Sequence, residues 1–306
     1  MKLPFLRPVV PPHVFSLSSD GVTYANVRRE RPAGFAEART YAYPSGALGA
    51  GASGTPLFTR EALSEAVTAA RRLAEDRLSR ASVVFPDAWA RILPIDFEQV
   101  PASPEAASEM VLWKLKKLLP GVTTPLTVAF REMVPAGEGK RLLVAAAPTE
   151  TLATIEQAFG SLGVRVGLLA PASLVLFEGA VATLTAGSGG DVALVHRSAG
   201  SLTLLIARGS SPLFFRQRPS DEQAEEHEQE LRLSLSYYSE KLGGSGLSAV
   251  YVHDELGTGG LSEMSAFPVA PASMNARTFG ADEGFDDRVR AHPELLPAFA
   301  AVWGRG

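Results

Sequence analysis

The sequence contains no cysteine. Disulfide bonds, zinc–thiolate sites, iron–sulfur clusters and thiol nucleophiles are therefore excluded, and we predict a cytoplasmic protein. A basic excess is also lacking, because 29 lysines and arginines stand against 33 aspartates and glutamates, a formal net charge of −4. Nucleic-acid binding depends on a positive surface that neutralises phosphates. We therefore predict no nucleic-acid partner.

The chain also lacks an uninterrupted apolar run of the ~20 residues that a membrane-spanning helix needs. The amino terminus, MKLPFLRPVVPPH, is broken by four prolines and does not resemble a secretion signal. Residues 166–187 come nearest, with Glu178 as their single charge, but Pro171 divides them. We predict a buried strand at residues 164–170, a core helix at residues 171–183 and no integral membrane segment.

Apolar strands and amphipathic helices alternate along the chain, which has 306 residues, 46% of them hydrophobic. Two β-rich runs within residues 13–30 meet at a Ser-Ser-Asp-Gly turn, which predicts a hairpin. Thr59 and Ser103 precede helical patterns as caps. Residues 41–56 are small and aperiodic, and are predicted as a surface loop. Further strands are predicted at residues 82–86, 92–95, 126–133, 141–147, 191–196, 201–207, 214–216 and 249–253, and helices at 103–119, 149–162 and 221–242.

Four segments, together about two-thirds of the chain, resemble the family of the type IV pilus assembly protein PilM. More distantly they resemble the cytoplasmic part of the type II secretion L component. The segments are LFTREALSEAVTAARRLA, SVVFPDAWARILPIDFEQVPASPEAASEMVLWKLKKLLP, LLVAAAPTETLATIEQAFGSLGVRVGLLAPASLVLFEGA, and DVALVHRSAGSLTLLIARGSSPLFFRQRP followed by ELRLSLSYYSEKLGG. The match is one of element order and pattern, so it implies the fold more strongly than the activity.

The resemblance implies an α/β, actin-like (ribonuclease H-like) two-lobe fold. The first lobe would cover residues 1–187, with a small α/β subdomain inserted at about 89–163, and the second lobe residues 188–306. In the family, the cleft takes ATP and Mg²⁺. A groove between the inserted subdomain and the first lobe accepts the cytoplasmic N-terminal peptide of the inner-membrane protein PilN. The implied role is a cytoplasmic scaffold, peripheral to the inner membrane through that partner, which connects the membrane platform of the pilus machine to its motor.

The resemblance also indicates candidate nucleotide-binding residues. The first phosphate loop corresponds to the turn containing Ser18 and Ser19. The second corresponds to Ser198, Gly200 and Ser201. A family acid that faces the adenosine corresponds to Glu230. No catalytic residue is assigned.

Three departures from the family pattern weaken nucleotide chemistry. Ser16 stands where the first loop has its acid, and His196 stands where the second loop has its acid. Asp254 and Glu255 replace a Gly-Gly turn, so that two carboxylates would repel a polyphosphate. We therefore favour a pseudo-ATPase scaffold. The alternatives are an active, ATP-binding PilM-type ATPase and a sugar-kinase-like phosphotransferase of the same superfamily.

The five histidines are His13, His196, His227, His253 and His292. None of them forms the His-x-x-x-His or His-Glu-x-x-His spacing of a zinc protease. We predict isolated histidines at the surface or at strand ends, and no metal site built from them.

Overall fold

The computed structural model describes residues 10–28, 34–51, 54–74, 77–135, 137–186, 188–219, 224–257, 265–279, 281 and 284–303. In the first part of the chain the elements are β1 (His13–Leu17), β2 (Gly21–Arg28), β3 (Gly34–Ala42), β4 (Leu48–Ala50), β5 (Pro56–Phe58), α1 (Arg60–Leu73), β6 (Arg80–Phe85), a 3-10 turn (Asp87–Trp89), β7 (Arg91–Phe97), α2 (Pro104–Leu118), β8 (Leu126–Glu132), β9 (Lys140–Pro148), α3 (Thr149–Ser161), β10 (Arg165–Pro171) and α4 (Ala172–Leu184).

The second part of the chain contains four strands of eight residues, one long helix and a series of shorter elements. These are β11 (Asp191–Ser198), β12 (Ser201–Arg208), β13 (Ser211–Arg218), α5 (Ala224–Lys241), β14 (Leu247–Asp254), β15 (Ala272–Ser273), α6 (Ala276–Phe279), α7 (Phe285–Ala291) and α8 (Leu295–Trp303). The first three residues of the helix predicted at 221–242 lie outside the described residues.

Two five-stranded sheets form the centre of the molecule. The first has the order β10-β6-β1-β2-β3, and the second has the order β13-β12-β11-β14-β15. Each begins with an antiparallel hairpin, β1–β2 or β11–β12, whose first strand also pairs in parallel with a later strand, β6 or β14. A third, three-stranded sheet, β7-β9-β8, carries α2 and has its own apolar cluster around Val111 and Leu115.

The predicted helix starts are confirmed. The hydroxyl of Thr59 accepts a hydrogen bond from the amide of Ala62, and the hydroxyl of Ser103 accepts one from Ala106. Gly163 ends the turn after α3 with a φ of 73°, a left-handed conformation that favours glycine. The local capping chemistry thus sets where these helices begin and end.

The apolar stretch around Pro171 is the strand β10 followed by the buried helix α4, as predicted. Across the described ranges, no helix combines the length and the apolar character needed to cross a membrane.

The loop prediction for residues 41–56 is wrong in part. β3 continues to Ala42, and β4 pairs with β5 as a short antiparallel hairpin, with Leu48 opposite Phe58. The segment is dominated by glycine and alanine, so it carries too little alternation of apolar and polar side chains for sequence reasoning to detect three-residue strands. The strand β3 was also not predicted.

The C-terminal helix α8 packs against α4 and against the strands β1, β2 and β6 of the first sheet. The approach of α8 to α4 is close, because a Cβ atom added at Gly179 would lie 2.6 Å from the carbonyl oxygen of Ala300. The lobe boundary at residues 187 and 188 stays a prediction, but this packing places residues 295–303 with the first sheet.

Candidate functional site

Two histidines meet at the carboxyl ends of the parallel strands β11 and β14. His196 and His253 are register partners, and their Nδ1 atoms lie 3.0 Å apart. Their rings are nearly parallel, with an angle of 10° between the planes, and both side chains are buried. Burial lowers the pKa of His196 to about 4 and that of His253 to about 3, so both imidazoles are neutral at physiological pH.

The hydrogen-bond partners assign the tautomers of both rings. His253 Nε2 lies 3.0 Å from the carbonyl oxygen of Pro293, which can only accept, so this nitrogen carries the proton. Neutral His253 therefore accepts at Nδ1, and His196 Nδ1 must donate to it. His196 Nε2 is therefore unprotonated and carries a lone pair. This nitrogen is buried 3.8 Å from Glu255 Oε1, and no residue that the structure describes forms a hydrogen bond with it.

Carboxyl groups crowd the same place. Burial and, to a smaller extent, the negative charges of Asp87, Glu294 and Asp254 together raise the pKa of Glu255 to about 8. Asp254 is paired with the guanidinium of Arg197, whose Nε donates to its Oδ1 over 2.9 Å. The site thus combines neutral imidazoles with an excess of carboxyl groups.

Asp87 is a site residue that the sequence reasoning did not single out. It follows β6, is fully buried, and accepts hydrogen bonds from the amide of Ser173 and the hydroxyl of Thr203. Burial raises its pKa, because the charged form loses its hydration. Gln217 of β13 donates to the main-chain carbonyls of Asp87 and Ala90, at 2.6 and 3.3 Å. This cluster links the end of the first sheet to the second sheet.

The first predicted phosphate loop is a closed turn. Ser18 and Ser19 are exposed between β1 and β2. The Ser18 hydroxyl donates to the carbonyl of Gly21 and accepts from the amides of Asp20 and Gly21. Ser16, two residues before Ser18 in β1, is buried. The amide groups that would face a phosphate are therefore partly used within the turn itself.

The second predicted phosphate loop is the turn between β11 and β12. Gly200 has a φ of 73° and lies next to Ala88 of the 3-10 turn. Ser198 and Ser201 are buried, and neither hydroxyl has a hydrogen-bond partner in the described part of the chain. Buried hydroxyls normally have a partner, so these two groups are available to a ligand.

Glu230, the predicted adenosine-facing acid, is engaged elsewhere. Its carboxylate accepts from Arg216 at 2.9 Å and from Arg218 at 3.2 Å, both on the edge strand β13. In the described residues no hydrogen bond or ion pair joins Glu230 to either predicted phosphate loop.

A magnesium-bound nucleotide is the ligand that the resemblance implies, but the residues present do not fit it. Mg²⁺ prefers oxygen ligands in octahedral geometry. The positions that should supply acids hold the Ser16 hydroxyl and the His196 imidazole. Of the carboxyl groups nearby, Asp254 is paired with Arg197, and the side chains of Asp254 and Glu255 would repel a polyphosphate when ionised.

A second concave feature lies beside the three-stranded sheet, where that sheet meets the 3-10 turn and the residue before β5. This groove has a cavity volume of about 260 Å³. Its walls come from four separate segments: Thr55 beside β5, residues 88–91 of the 3-10 turn and β7, residues 121–124 with Leu126 of β8, and Ala146 and Pro148 of β9. The groove is therefore formed by tertiary packing of segments far apart in the sequence.

The prediction of isolated histidines is wrong for His196 and His253. The signal was present, because both residues end predicted strands. Without the knowledge that β11 and β14 are parallel neighbours, however, no spacing rule joins positions 57 residues apart. Asp87 could have been noticed as an acid directly after the strand predicted at residues 82–86.

Comparison with known proteins places this architecture in a fold class. No protein-family model matches the sequence, and no curated protein sequence matches it. The chain has an actin-like ATPase fold, as predicted. One chain of a PilM–PilN type IV pilus biogenesis complex superposes with a TM-score of 0.76 at 18% sequence identity. The match covers 98% of this chain and 100% of that one.

Two other solved structures are similar at lower scores. A protein of Bacteroides thetaiotaomicron with an actin-like ATPase fold and unknown function has a TM-score of 0.49, 10% identity, and coverage of 94% and 96% of the two chains. The cytoplasmic domain of EpsL, an inner-membrane component of the Vibrio cholerae type II secretion system, has a TM-score of 0.49, 12% identity, and coverage of 93% and 94%. The superposition with the TM-score of 0.76 confirms the resemblance noted in the sequence for the fold.

Proposed function

We propose that this protein is a PilM-like scaffold of type IV pilus assembly that binds the cytoplasmic N-terminal peptide of a PilN-like inner-membrane protein. The observation that carries the proposal is the superposition on a chain of a PilM–PilN type IV pilus biogenesis complex over nearly the full length of both chains. The proposal commits to pilus assembly rather than to type II secretion.

The groove beside the three-stranded sheet supports this proposal. We assign the partner peptide to it because the resemblance implies a groove beside the inserted subdomain, and its cavity of about 260 Å³ accommodates a few side chains of an extended segment. Trp89 and Ala146 supply buried apolar surface, and Val122 adds a side chain that is 37% exposed. Arg91, Thr123 and Thr124 supply polar groups, and apolar surface with a few polar groups is typical of ligand pockets.

A glycine substitution tests the groove without disturbing the core. An added Cβ at Gly121 meets no atom within 4 Å, so Gly121→Glu should fold normally and place a charged side chain in the groove. Gly160 of α3 is equally open, and it lies about 18 Å from the groove residue Pro148 by the helical rise. We expect Gly121→Glu to weaken peptide binding at least tenfold in a fluorescence anisotropy titration and the matched control Gly160→Glu to bind like the wild type. Equal binding by both variants would contradict the groove assignment.

We further propose that the nucleotide site is degenerate, so that the protein acts as a pseudo-ATPase. The hydroxyl and imidazole at positions 16 and 196 support this, together with the carboxyl cluster around Glu255. One observation favours the rival reading of an ATP-binding protein: the buried hydroxyls of Ser198 and Ser201 lack partners. A titration with labelled ATP and Mg²⁺ separates the two, because saturable micromolar binding would support the rival and exclude the pseudo-ATPase.

A further inference from the structure

The cluster of His196, His253 and Glu255 is not used by the proposed scaffold function. One potential ligand atom from each residue lies within 4.8 Å of those of the other two. Imidazole nitrogen and carboxylate oxygen are the ligand types that proteins use for Zn²⁺ and similar ions. The arrangement therefore has to be explained either as a satisfied hydrogen-bond network or as a binding site.

The distance between His196 Nε2 and Glu255 Oε1 favours a binding site. This distance of 3.8 Å is too long for a hydrogen bond. In the described part of the chain, no other group forms a hydrogen bond with the buried His196 Nε2. Two ligand atoms that each lie about 2.0–2.2 Å from one ion can be separated by at most about 4.3 Å. The two atoms are thus too far apart to form a hydrogen bond with each other, but they are close enough to coordinate the same metal ion.

The other side of the His196 ring is already organised as metal sites require. A metal-bound histidine commonly donates its second ring N–H to a fixed acceptor, which holds the ring and its tautomer in place. His196 Nδ1 donates to His253, and His253 in turn donates to the Pro293 carbonyl. This chain leaves the lone pair of His196 Nε2 directed at the Glu255 side, with no rearrangement needed.

The local charge also favours a cation. Asp87, Asp254 and Glu294 act on Glu255 with like charge, while Arg197 is paired with Asp254. A divalent ion beside Glu255 would offset the repulsion among these carboxyl groups. An open cavity of about 460 Å³ lies beside the cluster and is lined by His253, Asp254 and Pro293.

We propose that His196 Nε2 and Glu255 bind a divalent transition-metal ion of the zinc type, with water in the remaining positions and with His253 as the residue that positions His196. The imidazole ligand selects against Mg²⁺ and Ca²⁺, which prefer oxygen. The site is independent of the peptide groove, so it can be present whether or not the scaffold function is correct.

Co²⁺, whose visible absorption reports its coordination, tests the site on the full chain after treatment with a chelator. We expect a saturable band at one Co²⁺ per chain that Zn²⁺ displaces and Mg²⁺ at the same concentration does not. His196→Gln and Glu255→Gln should each weaken binding tenfold or more. His253→Gln should weaken it by about tenfold while leaving the band position unchanged, because His253 is outside the coordination sphere.

His292→Gln is the matched control. That ring is half-exposed and lies 3.4 Å from Glu294, so it offers the nearest surface pair that could bind metal adventitiously. Its loss should leave Co²⁺ binding unchanged. Glu255→Gln keeps the shape of the side chain in a crowded cluster of carboxyl groups and should remain folded by circular dichroism. It therefore still tests the proposal if a histidine variant does not fold. No stoichiometric Co²⁺ band, or an unchanged band in Glu255→Gln, would overturn the proposal. Equal competition by Mg²⁺ would overturn the choice of metal class.

Discussion

The carboxylate of Asp87 accepts a hydrogen bond of 2.8 Å from the hydroxyl of Thr203. Asp87 lies two residues after the end of β6 in the first sheet, and Thr203 lies in β12 of the second sheet. This hydrogen bond therefore connects the two central sheets through a fully buried acid. Burying a carboxylate costs free energy unless its oxygens are hydrogen-bonded. Within the described ranges, the Asp87 oxygens accept hydrogen bonds from the Ser173 amide and the Thr203 hydroxyl only. Removing the donor of this hydrogen bond should therefore destabilise the folded protein.

Thr203→Val tests that relationship. Valine has the shape of threonine but no hydroxyl, so Asp87 would keep its burial and lose a donor. We expect the free energy of unfolding to fall by about 1.5–3 kcal/mol, the range for hydrogen bonds to charged groups, measured by urea denaturation at pH 7. Thr203→Ser retains the hydroxyl and serves as the control. An unchanged urea midpoint in Thr203→Val would show that Asp87 does not depend on this donor.

The crossing of α4 and α8 predicts opposite effects for the same substitution at two helical glycines. A Cβ at Gly179 would lie 2.6 Å from the carbonyl oxygen of Ala300, so Gly179→Ala should destabilise the protein by about 1–3 kcal/mol through overpacking. Gly160 meets no atom within 4 Å, so Gly160→Ala should stabilise α3 by about 0.5–1 kcal/mol through helix propensity. Thermal unfolding of both variants checks the pair. Equal shifts would contradict the close packing of α8 on α4.

The lowered pKa of Asp191 leads us to expect that the folded protein loses stability in acid. Burial alone would raise the pKa of this carboxyl, but the hydrogen bonds donated by Arg208 and Tyr238 outweigh it and hold the pKa below its usual value. A carboxyl with a lowered folded-state pKa contributes stability that is present above its unfolded-state pKa and is lost as the pH falls through the folded-state value. The contribution of Asp191 should therefore be complete near neutral pH and disappear below the ordinary aspartate range.

A comparison with Asp191→Asn isolates this contribution from those of other acids. Urea midpoints of the two proteins, measured from pH 7 down to about pH 3, should differ most at neutral pH and converge in acid. A difference that stays constant over this range would mean that the Asp191 charge is not the stabilising feature.

Much of the fold could be predicted because strong local signals agree with it. The turn at Ser18 to Gly21, the caps at Thr59 and Ser103, and the division at Pro171 each have a local physical cause, and each is confirmed. The hairpin β4–β5 was missed because glycine and alanine give no alternation. The packing of α8 on the first sheet was not predicted, since the contact joins residues more than a hundred positions apart.

The candidate site was harder to predict than the fold. The departures at Ser16 and His196 were visible as residue types, but their consequence depends on parallel pairing of β11 with β14, which brings His253 within 3.0 Å of His196. The engagement of Glu230 with Arg216 and Arg218 likewise depends on how α5 lies over β13. Residue types can be read from the sequence, whereas partners across strands cannot.

The central claim is that the protein is a PilM-like scaffold whose partner binding does not depend on ATP. The most direct measurement is a fluorescence anisotropy titration of the purified chain with a labelled cytoplasmic N-terminal peptide of a PilN-like protein, with and without Mg²⁺ and ATP. We predict saturable one-to-one binding with the same dissociation constant in both conditions. No binding in either condition would contradict the scaffold, and binding only with ATP would contradict the pseudo-ATPase.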